Sequence, residues 1–252
     1  AESVDKSFTK ILRDEGFVSH ADPELHTAFD LTYDYDGYDY LGGAMQGARP
    51  LGDYLNHLYV QETLYPAGAV KMRFIENHDN PRAAGVVGSR HALLNWTVFY
   101  SLLPGATLVH AGQEMALSHC PDLFTRDTVR WDEGDPWFAS FMRGVLGLSK
   151  AIKRSCTRFA VSELREGVAK IVWRGGEATY AAFLNLGGED GQVCLYECEA
   201  AELLHGQLCL GEAFSECQAW EDGRTRICLR LEDMPVVVKV PGLSGADDEL
   251  LF

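Results

Sequence analysis

Val70-Lys71-Met72-Arg73-Phe74-Ile75-Glu76-Asn77-His78-Asp79-Asn80-Pro81-Arg82 is the stretch on which the reading of the fold turns. Residues 70–75 read as a short strand, and that strand stops abruptly in six polar or charged residues and a proline. Strands of a parallel sheet are buried on both faces, so polar groups collect where such a strand emerges at its C-terminal end. Asn77, His78 and Asp79 there offer an amide, an imidazole and a carboxylate to one mouth. The same tripeptide also suits a plain polar turn with an Asp or Asn cap for the following helix. The residues alone leave both readings open.

Working outward, strands and helices alternate. Residues 5–16 carry apolar side chains at Phe8, Ile11 and Leu12 and end at Gly16, which predicts an amphipathic helix. Residues 28–35 predict a strand running into a polar mouth at Asp34-Tyr35-Asp36, and 36–65 a mostly helical stretch broken at Gly42-Gly43 and Arg49-Pro50. After the strand at 70–75, Ser89 to Leu103 predicts a helix stopped by Pro104-Gly105. Thr107 to His110 predicts another short strand, and Asp135-Pro136 opens a helix with apolar residues at Phe138, Phe141, Met142, Val145 and Leu146. Such alternation argues for a parallel sheet, and helix-flanked strands ending in polar loops suit a barrel. Near residue 156 the texture changes to strand-like runs at 168–173, 179–186, 192–197, 226–231 and 235–240, separated by turns such as Gly175-Gly176 and Gly187-Gly188. That third of the chain reads as an all-β antiparallel sandwich.

Composition narrows the function. The chain has 252 residues, 46% of them hydrophobic and 23% charged, as in a folded protein with a sizeable core. The net charge of −15, from 22 Lys and Arg against 37 Asp and Glu, argues against a nucleic-acid partner. No apolar run is long enough to span a membrane. The seven cysteines do not make a zinc site, because Cys194 and Cys198 lack a second close pair or a histidine cluster. Cysteine used as a small core residue points to a reduced, cytoplasmic setting. No serine elbow or phosphate loop is present. Tyr33-Asp34-Tyr35-Asp36-Gly37-Tyr38-Asp39-Tyr40 offers a rim of acids and aromatic walls; calcium at Asp34, Asp36 and Asp39 is a further candidate, although the later ligands of an EF-hand are missing. No cofactor is otherwise implied.

Phe74-Ile75-Glu76-Asn77-His78-Asp79 resembles a segment of the alpha-amylase family of glycoside hydrolases. Pro104 to Glu114 is similar to that family's eighth-strand segment, with Thr107 where the family usually has proline. Phe124-Thr125-Arg126-Asp127 and Arg130-Trp131-Asp132 resemble its segment before the last barrel helix, and residues after 156 its C-terminal domain. The resemblance implies an Asp nucleophile after the fourth strand, a Glu acid/base after the fifth and an Asp stabiliser after the seventh. Asp79 matches the stabiliser. His78 matches the family's sugar-binding histidine, Asn77 would help it to position substrate, and Arg82 is expected within reach of a hydroxyl or carboxylate. Counting back, the strands at 28–35 and 70–75 correspond to the sixth and seventh. Glu2 then falls at the fifth-strand end and matches the acid/base, although alone it reads as a solvated residue or an acid at a helix start. Glu114 is expected to support the loop and the barrel floor.

The expected fold is therefore α/β: the second half (strands 5–8) of a (β/α)8 TIM barrel over residues 1–155, then the β-sandwich over 156–252. The expected function is that of a fragment of a retaining alpha-glucan-active glycoside hydrolase or transglycosylase. Its partners are an alpha-linked glucan or oligosaccharide and the missing N-terminal half of the barrel. Alone it is expected to be inactive, because no nucleophile segment is present. The alternative is a non-catalytic amylase-like binding or assembly protein.

Overall fold

The computed structural model describes residues 1–3, 6–187, 192–198, 206–211, 216–219, 225–231 and 234–241. In chain order the first part holds α1 (Lys6–Asp14), α2 (Asp22–Leu25), β1 (Leu31–Tyr33), α3 (Tyr35–Met45), α4 (Leu51–Leu64) and β2 (Val70–Arg73). It continues with α5 (Ala83–Val86), α6 (Arg90–Leu102), β3 (Ala106–Thr107) and α7 (Pro136–Ser155). The strands form one parallel sheet in the order β1-β2-β3, each joined to the next by helices, as parallel neighbours require. Ala1 lies beside β1 in the same manner: its nitrogen donates to Leu31 O, and its carbonyl accepts from Tyr33 N at 3.1 Å.

Register separates the two faces of this sheet. Thr32, Lys71 and Arg73 are buried on the helix side. Leu31, Tyr33, Val70, Met72 and Ala106 lie on the other face and are only half-buried. The helix-side layer is ionic rather than apolar. Lys71 Nζ lies 2.8 Å from both Asp22 Oδ2 and Asp36 Oδ1, and Arg73 Nη1 donates to Asp34 Oδ2 at 2.7 Å and to Gln61 Oε1 at 2.7 Å. Buried charges persist only when paired and hydrogen-bonded in this way.

Several sequence expectations are corrected here. α3 runs straight through Gly42-Gly43 instead of breaking there. A Cβ on Gly43 would stand 2.7 Å from Arg49 Cδ, so glycine serves close packing rather than a stop. The break comes at Arg49-Pro50, with Pro50 capping α4. β1 and β3 are shorter than 28–35 and 107–110, although Leu108 N still donates to Arg73 O at 2.9 Å. Gly105 must be glycine: its φ is +105°, and a Cβ would come 2.2 Å from Lys71 O. α6 begins at the expected Ser89 cap, whose Oγ accepts from Ala92 N at 3.0 Å, and α7 at the Asp135 cap with Pro136 in the first turn.

Beyond α7 the regular elements among the described residues are all strands. β4 (Arg158–Arg165), β5 (Val168–Arg174), β6 (Ala178–Asn185), β8 (Gln207–Leu210) and β11 (Val236–Pro241) form an antiparallel sheet in the order β4-β5-β6-β11-β8. β7 (Gln192–Cys198), β9 (Glu216–Ala219) and β10 (Thr225–Leu231) form another, in the order β7-β10-β9. β4 escaped the sequence reading because Arg158, Glu163 and Arg165 dilute its apolar signal. The five-stranded sheet packs directly on the helices. Trp173 Nε1 donates to Leu102 O at 2.7 Å, Tyr59 Oη to Val161 O at 2.6 Å, and Asn185 N to Asn95 Oδ1 at 3.0 Å. One apolar cluster runs from Leu41 through Trp96 and Phe138 to Trp173 and Val237. Cys120, Cys156 and Cys209 are free thiols; the side chains of Cys194 and Cys198 lie outside the described residues. Among the described residues no helix is long and apolar enough to cross a membrane.

Candidate active site

Three chain segments meet at the C-terminal ends of the parallel strands. Glu2 follows the residue paired with β1, Tyr35 follows β1 itself, and Asn77 to Asp79 follow β2. Tyr35 joins them. Its Oη donates to Asp79 Oδ2 at 2.6 Å and lies 3.3 Å from Glu2 Oε1, while Asn77 Nδ2 donates to it at 2.9 Å. Burial pushes the Tyr35 hydroxyl well above the usual tyrosine range, and its hydrogen bond to Asp79 adds to the rise.

The loop owes its shape to Asn77, which is buried. Asn77 Oδ1 accepts from Asp79 N at 3.1 Å and from Asn80 Nδ2 at 2.7 Å, closing an Asx turn that lifts His78 and Asp79 into solvent. His78 Nε2 lies 3.4 Å from Asp79 Oδ2. Ligand-type atoms of Glu2, His78 and Asp79 all fall within 4.8 Å of one another, a set of three not repeated elsewhere among the described residues. Behind the loop Phe74 is fully buried; its ring stacks on Tyr38 at 5.0 Å and meets Tyr35 edge-on at 5.5 Å. The sequence stretch therefore brings together Glu2, Asn77, His78 and Asp79. The bridging role of Tyr35 was missed, and its only sequence signal is its position just past a strand end.

Arg82 does not join them, which corrects the expectation that it reaches substrate. It is 1% exposed, and its guanidinium donates to Glu76 Oε1 at 2.6 Å, Ala111 O at 2.8 Å and His119 O at 3.0 Å, with His110 Nδ1 at 3.1 Å. A buried acid at position 76 captures the cation before any ligand can. Asp34 and Asp36 are likewise drawn off the rim by Arg73 and Lys71. Burial alone would raise the Asp36 carboxyl, but the His57 hydrogen bond and the Lys71 ammonium outweigh it and hold it well below the usual range. Asp39 is exposed beside Lys6, at 3.3 Å. With their oxygens spent on separate cations, Asp34, Asp36 and Asp39 do not fit a calcium ion. Glu114 Oε2 accepts from Gly112 N at 2.8 Å, and Gln113 Nε2 donates to Tyr100 Oη at 2.9 Å, so both brace the loop after β3.

No family model matches the sequence, and no curated protein matches it significantly. Solved structures do. An alpha-amylase from Lactobacillus plantarum is 28% identical, with 95% of this chain and 54% of that one aligned at a TM-score of 0.76. The maltogenic alpha-amylase AmyB from Thermotoga neapolitana is 27% identical, over 95% of this chain and 59% of that one, at 0.75. An alpha-amylase from Geobacillus thermoleovorans, solved with acarbose, aligns over 86% of this chain and 49% of its own at 17% identity and 0.64, a likeness of fold alone. The chain spans about half the length of the solved structures it matches. Over nearly its whole length the chain resembles alpha-amylase-family glycoside hydrolases, in an extent consistent with their C-terminal portion.

Proposed function

We propose that the chain carries half of the catalytic apparatus of a retaining alpha-glucan-active glycoside hydrolase or transglycosylase. In this reading residues 1–155 are the second half of a (β/α)8 barrel and 156–252 a C-terminal β-sandwich unit. The observation that carries the proposal is the convergence of Glu2 and Asp79 on one hydroxyl, that of Tyr35, at the strand ends. Glycosidic cleavage needs an acid to protonate the leaving oxygen and negative charge beside the positive sugar ring that develops.

Tyr35 suits this division of labour. A tyrosine hydroxyl has one proton to donate and two lone pairs. The proton goes to Asp79 along the shorter contact, and one lone pair takes the Asn77 amide. Glu2 Oε1 lies 3.3 Å from the same hydroxyl, which holds the acid/base carboxyl beside Asp79 at the strand ends. Asp79 stays aimed at the ring, and exposed His78 reaches the sugar hydroxyls. The nucleophile comes from a segment preceding these residues in the complete enzyme, so the chain alone turns over no glucan. The half-open sheet face at Leu31, Tyr33, Val70, Met72 and Ala106 supports a missing barrel half. The likeness at 28% and 27% identity to an alpha-amylase and a maltogenic alpha-amylase supports alpha-glucans as the substrate class.

The test uses the complete enzyme with Glu2→Gln and Asp79→Asn on maltooligosaccharides. Both substitutions should lower kcat by a factor on the order of 1,000 while binding survives. Unchanged turnover in either variant sinks the assignment; glucan binding without turnover in the parent enzyme favours an amylase-like binding protein.

A further inference from the structure

At the opposite end of the parallel strands from Glu2 and Asp79, a cavity of about 420 Å³ lies between α4, the turns that lead into β2 and β3, and Phe159 of β4. Leu58, Pro66, Pro104 and Phe159 give it apolar walls, and Arg73 and Glu62 give it charge.

The buried cations beside this cavity are not equally spent. Lys71 Nζ lies 2.8 Å from both Asp22 Oδ2 and Asp36 Oδ1, and donates to Thr32 Oγ1 at 3.2 Å and to Tyr65 Oη at 3.1 Å. An ammonium has three hydrogens, so nothing is left for a ligand. A guanidinium has five N–H donors. Arg73 Nε donates to Pro104 O at 2.9 Å, and Nη1 to Asp34 Oδ2 and Gln61 Oε1, both at 2.7 Å. Nη2 has no partner among the described residues, on a side chain only 6% exposed. It is not sealed off either, and opens onto the cavity that Arg73 lines. A charged donor so placed takes its acceptor from whatever enters.

A second positive charge stands at the rim. Half-buried Lys153 donates to Gly105 O at 3.1 Å, and Gly105 lines the cavity. Burial and the nearby Arg73 charge together disfavour its ammonium, a repulsion that a bound anion relieves. Glu62, exposed on α4, lines the same cavity without forming an ion pair with Arg73. Its negative charge opposes an anion there.

We propose that this cavity binds a small organic oxyanion, a carboxylate or a phosphate monoester, with its oxygens on Arg73 Nη2 and its body against Leu58, Pro66 and Phe159. Guanidinium N–H groups are the natural partners of such oxygens. The volume is that of a small-molecule pocket, larger than a bare phosphate fills. The site is independent of the glycosidase reading, because none of its lining residues belongs to the Glu2, Tyr35 and Asp79 cluster.

Calorimetry tests this by titrating benzoate and phenyl phosphate separately into the complete enzyme and into Glu62→Gln, Lys153→Met and Arg73→Lys. Saturable one-to-one binding of either probe is expected; benzoate alone marks a carboxylate site, phenyl phosphate alone a phosphate site. Glu62→Gln should tighten binding about three- to tenfold, and Lys153→Met should weaken it by about the same factor. Arg73→Lys keeps the charge but removes Nη2, and should weaken binding more than about tenfold. Because that change also disturbs Asp34, its fold is checked by dichroism, and the Glu62 and Lys153 variants decide the question if it does not fold. Failure of both probes to bind overturns the proposal, as does binding that neither Glu62→Gln nor Lys153→Met alters.

Discussion

A hydroxyl that touches two carboxylates and an amide is a small device with a large effect on orientation. Tyr35→Phe keeps the ring contact with Phe74 but removes the bonds to Asp79, Asn77 and Glu2. In the complete enzyme it should lower kcat roughly 10–100-fold with little change in stability, read from steady-state kinetics beside a urea melt. Lys153 makes a different prediction. Its ammonium donates to Gly105 O at 3.1 Å and lies 3.5 Å from Thr107 Oγ1. Burial, reinforced by the Arg73 charge, pulls its pKa down to about 8. The unfolded chain, near 10.4, then binds more protons than the folded one between those values. Stability should therefore rise with pH from about 8 to about 10.4 and stay flat below. Lys153→Met should abolish this rise and raise the urea midpoint at pH 7; an unchanged pH slope would refute it. At this scale the polar run from Glu76 to Asp79 was legible because strand ends collect polar groups, whereas Glu2 was reached only through the family resemblance. Arg82 was misread because sequence does not reveal which acid reaches it first.

At the scale of elements, the loops after β2 and β3 are held as one by Arg82, which is paired with Glu76, both fully buried, and donates across to Ala111 O and His119 O. Arg82→Ala leaves Glu76 buried without its cation and should cost about 3–5 kcal/mol by urea denaturation. The double replacement Glu76→Gln with Arg82→Met should recover much of that loss, because the penalty is an uncompensated charge. Gly105 is the other structural hinge of this region. Gly105→Ala meets Lys71 O at 2.2 Å in a left-handed backbone and should unfold the β2–β3 pairing, seen as lost amide-exchange protection at Leu108. Helices were the more legible elements, since Ser89, Asp135 and Pro136 mark their starts. The short strands were legible in place but not in extent, because three-residue β1 and two-residue β3 carry too few side chains to show a period.

For the whole molecule, the continuous cluster from Leu41 to Val237 and the Trp173–Leu102 hydrogen bond couple the α/β layer to the five-stranded sheet. Far-UV dichroism and Trp fluorescence should then report one coincident urea transition; two separated transitions would show that the halves unfold independently. The sequence alone determined the order of elements, the switch to β structure near residue 156, and the polar group at the end of β2. Those follow from local propensity and from the periodicity of apolar residues, which each segment carries within itself. Only the tertiary structure decided that Glu2 and Asp79 share Tyr35, that Arg82, Asp34 and Asp36 are spent on buried ion pairs, and that Arg73 keeps one nitrogen open to a cavity. Each of these depends on which distant group arrives within a few ångströms, and charge pairing and burial are settled by that arrival rather than by neighbours in the chain.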